Sequence, residues 1–226
     1  TRALDDLLAR DFQSDLEKFI DSVGGEQNLD RALGWAYLDE TLGSFDLERE
    51  GNKAGRAKLF LELLRRAHEQ RDITEDYLCQ LQQSIAMNPL TEECAFRRKQ
   101  NWLQRGASRF TAASISYLPP SPDMLPALMA DFLDIANRQD GDTVSPLVIA
   151  NLLSFAFVVL HPFMDGNGRV SRFLLHQQLC RSKVLKNGLI LPVSVEMKQH
   201  ETQYLNALQS VSIPLRDLWD VTIIDE

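Results

Sequence analysis

The sequence predicts a mainly α-helical protein with one small β-hairpin, and three observations carry that reading. Apolar residues recur at intervals of three and four along most of the 226 residues, the period of a helix with one buried face. The run PLVIANLLSFAFVVL (146–160) is apolar nearly all round, which predicts the buried centre of the domain. One stretch, 96–118, differs in character. It has two short runs rich in Ser, Thr, Tyr, Phe and Ile around Gly106, the pattern of a hairpin.

The elements follow in chain order. Leu4, Leu7, Leu8, Phe12 and Leu16 mark a first helix, broken by Gly24-Gly25. Residues 29–48 carry a second helical period, with Gly43 as a weak point and Gly51-Asn52 as its end. AGRAKLFLELLRRAHEQ (54–70) is strongly amphipathic, and TEDYLCQLQQSIAMN starts at Thr74 and stops before Asn88-Pro89. After the hairpin, Pro119, Pro120, Pro122 and Pro126 turn the chain into a helix over 123–138. Ser145-Pro146 opens the apolar helix with a hydroxyl cap and a first-turn proline. A loop from Pro162 to Gly168 leads into RVSRFLLHQQLCRSKVL, and one more helix covers 196–209. The tail VTIIDE reads as a short strand or linker.

Composition bounds the function. The net charge is −8, from 32 acidic and 24 basic residues, which disfavours nucleic-acid or membrane-surface binding by this segment. Cys79, Cys94 and Cys180 are odd in number and form no C-x-x-C pair, so neither a disulfide framework nor a structural zinc site is expected. Residues 1–20 are charged throughout, without a signal-peptide core, and the longest apolar run is too short to span a bilayer. A cytoplasmic setting is the expectation.

The chemistry concentrates in HPFMDGNGRVSR (161–172). A helix that starts at Gly168-Arg169 presents unbonded N–H groups and partial positive charge at that end, an anion site. Gly166 and Gly168 allow phosphate oxygens close to the backbone. Arg169 and Arg172, three apart, share one side of the helix and match phosphate with forked donors. Asp165 would repel phosphates unless a cation bridges them, so it implies Mg²⁺. His161 is the residue able to take a proton from an attacking hydroxyl near neutral pH. Phe163 points away and anchors the loop. Taken singly, each of these residues has a bland reading as a surface charge, a core histidine or a tight turn. Their conjunction in fixed order argues otherwise.

HPFMDGNGRVSR resembles the Fic-domain signature H-x-F-x-(D/E)-G-N-G-R-x-x-R, and every specified position is met. AFRRKQNWLQ and YLPPSPDMLPALMADFLDI are similar to the stretch such proteins carry between hairpin and central helices. The resemblance implies a Fic-type helical bundle with a small β-hairpin flap and, for most members, transfer of AMP from ATP to a hydroxyl of a target protein. By position, His161 is then the base and Asp165 the Mg²⁺ ligand. Gly166, Asn167 and Gly168 form the anion cradle, Arg169 holds the β-phosphate and Arg172 the γ-phosphate. The flap lies near Ser108–Tyr117, and Tyr204 lies beside the adenine. The implied partner is a protein with a Ser, Thr or Tyr hydroxyl, the chain itself included, and self-association is left open.

Many Fic proteins also carry an inhibitory helix with the pattern (S/T)-x-x-x-E-(G/N), whose glutamate pairs with the second signature arginine. SFDLEREGN (44–52) offers Ser44 and Glu48, followed by Arg49 instead of Gly or Asn. Glu50-Gly51 is the second candidate, with Asp46 in the hydroxyl position. Ser44 and Glu48 share one side of a helix and are preferred. The implied organisation is an N-terminal helical region (1–90) with the inhibitory helix near 40–50, a Fic core (91–215) and a tail (216–226). Removal of AMP, γ-phosphate transfer as in Doc-like relatives, and a weakly catalytic nucleotide-sensing or toxin–antitoxin module are the alternatives. Gly168, the position where the Doc-like motif departs, favours AMP transfer.

Overall fold

The computed structural model describes residues 26–47, 54–85, 95–104, 115–138, 144–185 and 188–216, and residues 6, 11, 14, 15, 18, 21, 22 and 24 singly. Most of the helix expected over 4–16, the ends at Gly51-Asn52 and Asn88-Pro89, Glu48, Glu50, Cys94, most of the expected flap and the tail beyond Arg216 lie outside the described residues, as does the boundary drawn at 90/91.

The N-terminal periodicity becomes α1 (Glu26–Leu47) and α2 (Ala54–Arg65). The reading of 54–70 as one helix runs long: after Arg65 the chain tightens into a 3₁₀ turn, Arg66–His68, closed by the Glu69 N–H on the Arg66 carbonyl at 3.0 Å. Thr74 caps α3 (Glu75–Ile85), its hydroxyl accepting from the Tyr77 N–H at 3.2 Å, and Glu75 and Asp76 complement the helix dipole in the first turn.

Two strands, β1 (Leu103–Gln104) and β2 (Ile115–Tyr117), pair antiparallel, Leu103 opposite Tyr117 and Gln104 opposite Ile115, with an irregularity between. These are the strands expected in 96–118. α4 (Leu125–Asn137) follows, with a proline in its first turn. Ser145 takes the capping position of α5 (Pro146–Leu160), but its hydroxyl makes no cap bond; its carbonyl accepts instead from the N–H groups of Val148 and Ile149. α6 (Asn167–Arg181) comes next. The single helix expected over 196–209 is two, α7 (Val193–Gln199) and α8 (Glu201–Arg216), separated by a break at His200.

The packing corrects one expectation. The apolar α5 is only half buried: Ala150, Leu153, Ser154, Phe157 and Val158 are inside, while Leu152 is 60% exposed. The buried centre is α6, where nearly every residue is inside, including Arg169, Arg172, His176 and Gln177. One hydrophobic cluster joins Tyr37 and Phe45 of α1, Leu64 of α2, Leu78 of α3, Phe157 of α5 and Phe173 of α6. Cys79 and Cys180 are buried and in no disulfide, and burial pushes the Cys180 thiol up to about 12, so it is inert core.

Gly43 is the point where α1 crosses α7. A Cβ there would meet the Val195 nitrogen at 3.1 Å and Ser194 atoms at 3.2 Å, so the residue is glycine because the two backbones touch. Among the described residues no helix is long and apolar enough to cross a membrane.

Candidate functional site

The site grows from the junction of α5 and α6. His161 ends α5 in the left-handed region, φ 50° and ψ 55°, with its N–H on the Phe157 carbonyl at 2.9 Å. A non-glycine residue holds this conformation only when its surroundings enforce it. The imidazole Nδ1 lies 3.2 Å from the Val158 carbonyl. A carbonyl only accepts, so Nδ1 carries the proton and Nε2 is the basic nitrogen.

The loop between the helices is built by Phe163 and Asn167. The Phe163 ring is buried against Phe96 and Phe157, centroids 5.7 and 6.2 Å away, the anchor expected of it. Both ends of the Asn167 amide bond Phe163: Oδ1 accepts from its N–H at 2.9 Å and Nδ2 donates to its carbonyl at 2.7 Å. The Asn167 side chain therefore shapes the loop, and only its backbone faces the start of α6. Gly166 caps α6 at φ 84°, a conformation strained for any side chain. The Asp165 carboxylate accepts from the Gly166 N–H at 2.7 Å, and its carbonyl accepts from Gln82 Nε2 at 3.3 Å. Val170 N–H to the Gly166 carbonyl, at 3.0 Å, is the first bond of the helix, which begins at Asn167, one residue earlier than expected.

Arg169 and Arg172 are 1% and 2% exposed. Both guanidiniums meet α1. Arg169 lies over the Phe45 ring at 5.3 Å. Arg172 donates from Nε and Nη2 to the Ser44 hydroxyl at 3.1 and 2.7 Å, and from Nη2 to the Ser44 carbonyl at 3.4 Å. The structure thus brings Ser44, the hydroxyl of the expected inhibitory pattern, onto Arg172, the arginine for which Glu48 was the expected partner. Glu48, four residues further along the chain, lies outside the described residues.

Several residues were not legible as part of the site. Glu40, one turn before Ser44, is fully buried and accepts from the Ser194 N–H at 2.7 Å and hydroxyl at 2.6 Å, capping α7. Burial raises its pKa, opposed by His176, by the Ser194 hydrogen bonds and by Arg172. The four-residue spacing Glu40–Ser44–Glu48 was the available signal. Both ring nitrogens of His176 face carbonyls, Arg172 at 2.8 Å and Leu191 at 2.9 Å, so the ring ties α6 to the segment before α7. Arg97 and Asn101 bond the carbonyls around His161 from a distant segment, with no local pattern to announce them.

Tyr204, half-buried on α8, lines a cavity of about 530 Å³ with Leu152, Phe155 and Val158 of α5, Ser171 of α6 and Met197 of α7. The described residues gather no group of three or more His, Cys, Asp or Glu side chains able to hold a metal by themselves. Mg²⁺ that takes its other ligands from phosphates and water needs one carboxylate, and Asp165 at the rim of the α6 N-terminus fits that need.

Residues 72–179 match the family model described as the Fic/DOC family. Among curated proteins, the chain is 33% identical over 93 residues to the protein adenylyltransferase Fic of Drosophila mojavensis, covering 41% of this chain and 17% of that protein. It is 36% identical over 81 residues to the protein of the same name from Nematostella vectensis, covering 35% and 19%. The matched segment thus spans less than a fifth of these relatives. Two solved structures share the fold. A Fic family protein from Desulfovibrio desulfuricans G20 aligns with TM-score 0.68 and 20% identity over 87% of this chain and 64% of that one. A Fic-domain-containing signaling protein from Bacteroides thetaiotaomicron VPI-5482 aligns with TM-score 0.65 and 20% identity over 87% and 81%.

Proposed function

We propose that this chain, whose residues 72–179 match the Fic/DOC family model, is a protein adenylyltransferase that moves AMP from ATP to a Ser, Thr or Tyr hydroxyl of a target protein, itself included. The observation that carries the reading is the union, at one helix junction, of a histidine with Nε2 as its basic nitrogen and an α6 N-terminus backed by two buried arginines.

The triphosphate lies at the first turn of α6, where Gly166 and Gly168 admit it to the backbone and Arg169 and Arg172 balance the charge of its β and γ ends. The target hydroxyl attacks the α-phosphorus. Its proton passes to His161 Nε2, the bond from the α-phosphorus to the bridging oxygen breaks, and pyrophosphate leaves with the electron pair. No covalent enzyme intermediate is needed; positioning and charge neutralisation carry the step. Asp165 would hold Mg²⁺, which when bound offsets phosphate charge. Asn167 contributes its backbone to the cradle, its side chain being engaged with Phe163. The apolar cavity at Tyr204, open to Ser171 beside Arg172, is the ground for keeping Tyr204 as a neighbour of the adenine.

Ser44 on Arg172 supports an inhibited resting state in which α1, with Glu48 following, occupies the seat of the γ-phosphate. The division into an N-terminal regulatory region (1–90), a core (91–215) and a tail (216–226), and a cytoplasmic setting, belong to the same proposal.

The test is incubation of wild-type, His161→Ala and Glu48→Gly proteins with α-labelled ATP and a cell lysate. Labelling rises in Glu48→Gly and falls by about 10²- to 10⁴-fold in Glu48→Gly/His161→Ala. Label transfer that survives loss of His161 overturns the assignment of the base, and label carried only by γ-labelled ATP overturns AMP transfer.

A further inference from the structure

We propose that Arg97 is the positioning residue of His161, tying the backbone of the histidine to the base of the β1–β2 pair. This rests on the reading of His161 as the base.

The last carbonyls of a helix have no partner within it. At the end of α5 they are supplied from the segments that flank the two strands. Tyr117 of β2 donates its hydroxyl to the Val159 carbonyl. Arg97 donates Nε to the His161 carbonyl at 2.8 Å and its own backbone N–H to the Pro162 carbonyl at 2.8 Å. Asn101 donates Nδ2 to the Phe163 carbonyl at 3.0 Å. Three residues from 97–117 thus bond four carbonyls between residues 159 and 163, around the imidazole.

Arg97 is the hinge of this collar. Its guanidinium is buried and spans two bodies: Nε holds His161, while Nη2 donates to the Pro120 carbonyl just after β2 and Nη1 to the Lys99 carbonyl at 3.3 Å just before β1. Planar forked donors fix relative geometry in a way that a single flexible cation does not. The held residue is also the one in need of holding. His161 is a non-glycine residue at φ 50°, and its left-handed backbone is what aims the ring so that Nδ1 meets Val158. Without the Arg97 bonds the carbonyl is free to rotate toward an ordinary helix end, the Nδ1 contact is lost, and Nε2 leaves its aim. The hydrogen bonds of Arg97 go to the carbonyls of His161, Pro162, Lys99 and Pro120 and not to Gly166, Asn167 or α6, so the anion cradle is expected to stay as it is. A target segment that adds to the strands therefore meets a base already set by the same strands.

Arg97→Gln and Arg97→Lys in the full chain test this with two readouts. The first is the ring ¹⁵N spectrum of His161. Wild type shows the Nδ1–H tautomer, and Arg97→Gln moves the population toward Nε2–H. The second is transfer from α-labelled ATP with ATP affinity by calorimetry. The rate constant falls on the order of 10²-fold in Arg97→Gln, as for a reacting group displaced by about 1 Å, while ATP affinity holds within about threefold. Arg97→Lys, able to reach one carbonyl at a time, recovers part of both signals. A folded Arg97→Gln with the wild-type tautomer and a rate within about twofold of wild type overturns the proposal; where Gln does not fold, Arg97→Lys with both wild-type signals does so. A tautomer shift in a chain that transfers no AMP even with Glu48→Gly supports the Arg97 assignment and removes the transferase reading, so the two failures are distinct.

Discussion

Replacing Gly43 with alanine sets two effects of known sign against each other. In a helix interior alanine is favoured over glycine by about 1 kcal/mol, so an unhindered site gains stability. At Gly43 the new Cβ would lie 3.1 Å from the Val195 nitrogen and 3.2 Å from the carbonyl carbon and Cβ of Ser194. Two of these three atoms are backbone at the start of α7 and cannot swing aside as a side chain does. The same spot is pinned by the Glu40 carboxylate, which holds Ser194 through bonds of 2.7 and 2.6 Å. Opening the crossing by a few tenths of an ångström strains both. Overpacking of this kind costs about 1–3 kcal/mol, which offsets or exceeds the propensity gain and leaves a net loss of about 0–2 kcal/mol. The loss falls on the docking of α1, which carries Ser44 onto Arg172, and each 1.4 kcal/mol of docking energy is worth about tenfold in the undocked population. Gly43→Ala is therefore expected to lower the urea midpoint at unchanged m-value and to tighten ATP binding by calorimetry. A midpoint raised by the full propensity gain, with ATP affinity unchanged, refutes the backbone contact as the reason for glycine.

Ser44→Ala removes the hydroxyl that takes two donors from Arg172, and is expected to cost about 1.5–3 kcal/mol in urea unfolding while tightening ATP binding; weaker ATP binding sinks the view that Ser44 holds Arg172 away from phosphate. Glu40 is protonated more readily in the fold than in the unfolded chain, because burial outweighs His176, Ser194 and Arg172. Its contribution to stability is therefore full below the ordinary value of 4.5 and is lost as pH rises through the raised one. Glu40→Gln keeps both bonds to Ser194, since the serine hydroxyl can turn to accept, and so flattens the fall in urea midpoint above pH 4.5. An unchanged slope in that variant assigns the pH dependence elsewhere.

The parts of the site that lie close in the chain were readable because their physics is local. The glycines of HPFMDGNGRVSR marked a tight loop, and Gly166 sits at positive φ; the Asp165 carboxylate on the next N–H and the Asn167 amide on Phe163 are short-range too, but they show only in the structure. The fold class followed from periodicity for the same reason. Burial was not readable in this way. Hydropathy ranks α5 above α6, yet α6 is the inner helix, because α3 and α5 pack against it and α1 covers Arg169 and Arg172 with Phe45 and Ser44. Gly43 looked like a flaw in α1 because its partner, Ser194, lies 151 residues away. Arg97 is 64 residues from His161 and carries no spacing that links them. Residues that act by holding a distant backbone leave no pattern in sequence; they show only once the carbonyls they bond are known.

The Ser44–Arg172 contact has a thermodynamic consequence that runs in both directions. One guanidinium cannot bond the Ser44 hydroxyl from Nε and Nη2 and at the same time present those donors to a terminal phosphate. If, as proposed, Arg172 meets the γ-phosphate, docked α1 and bound triphosphate compete, and each weakens the other by the same factor. ATP then loosens α1, whereas AMP, which lacks the γ-phosphate, does so much less. Hydrogen exchange reads this at the amides of residues 40–47, the last two turns of α1: protection falls with ATP and little with AMP, and Ser44→Ala already shows the lowered protection without nucleotide. Exchange in this segment that slows with ATP reverses the sign of the coupling and removes α1 as the competitor for Arg172, whatever the activity of the chain.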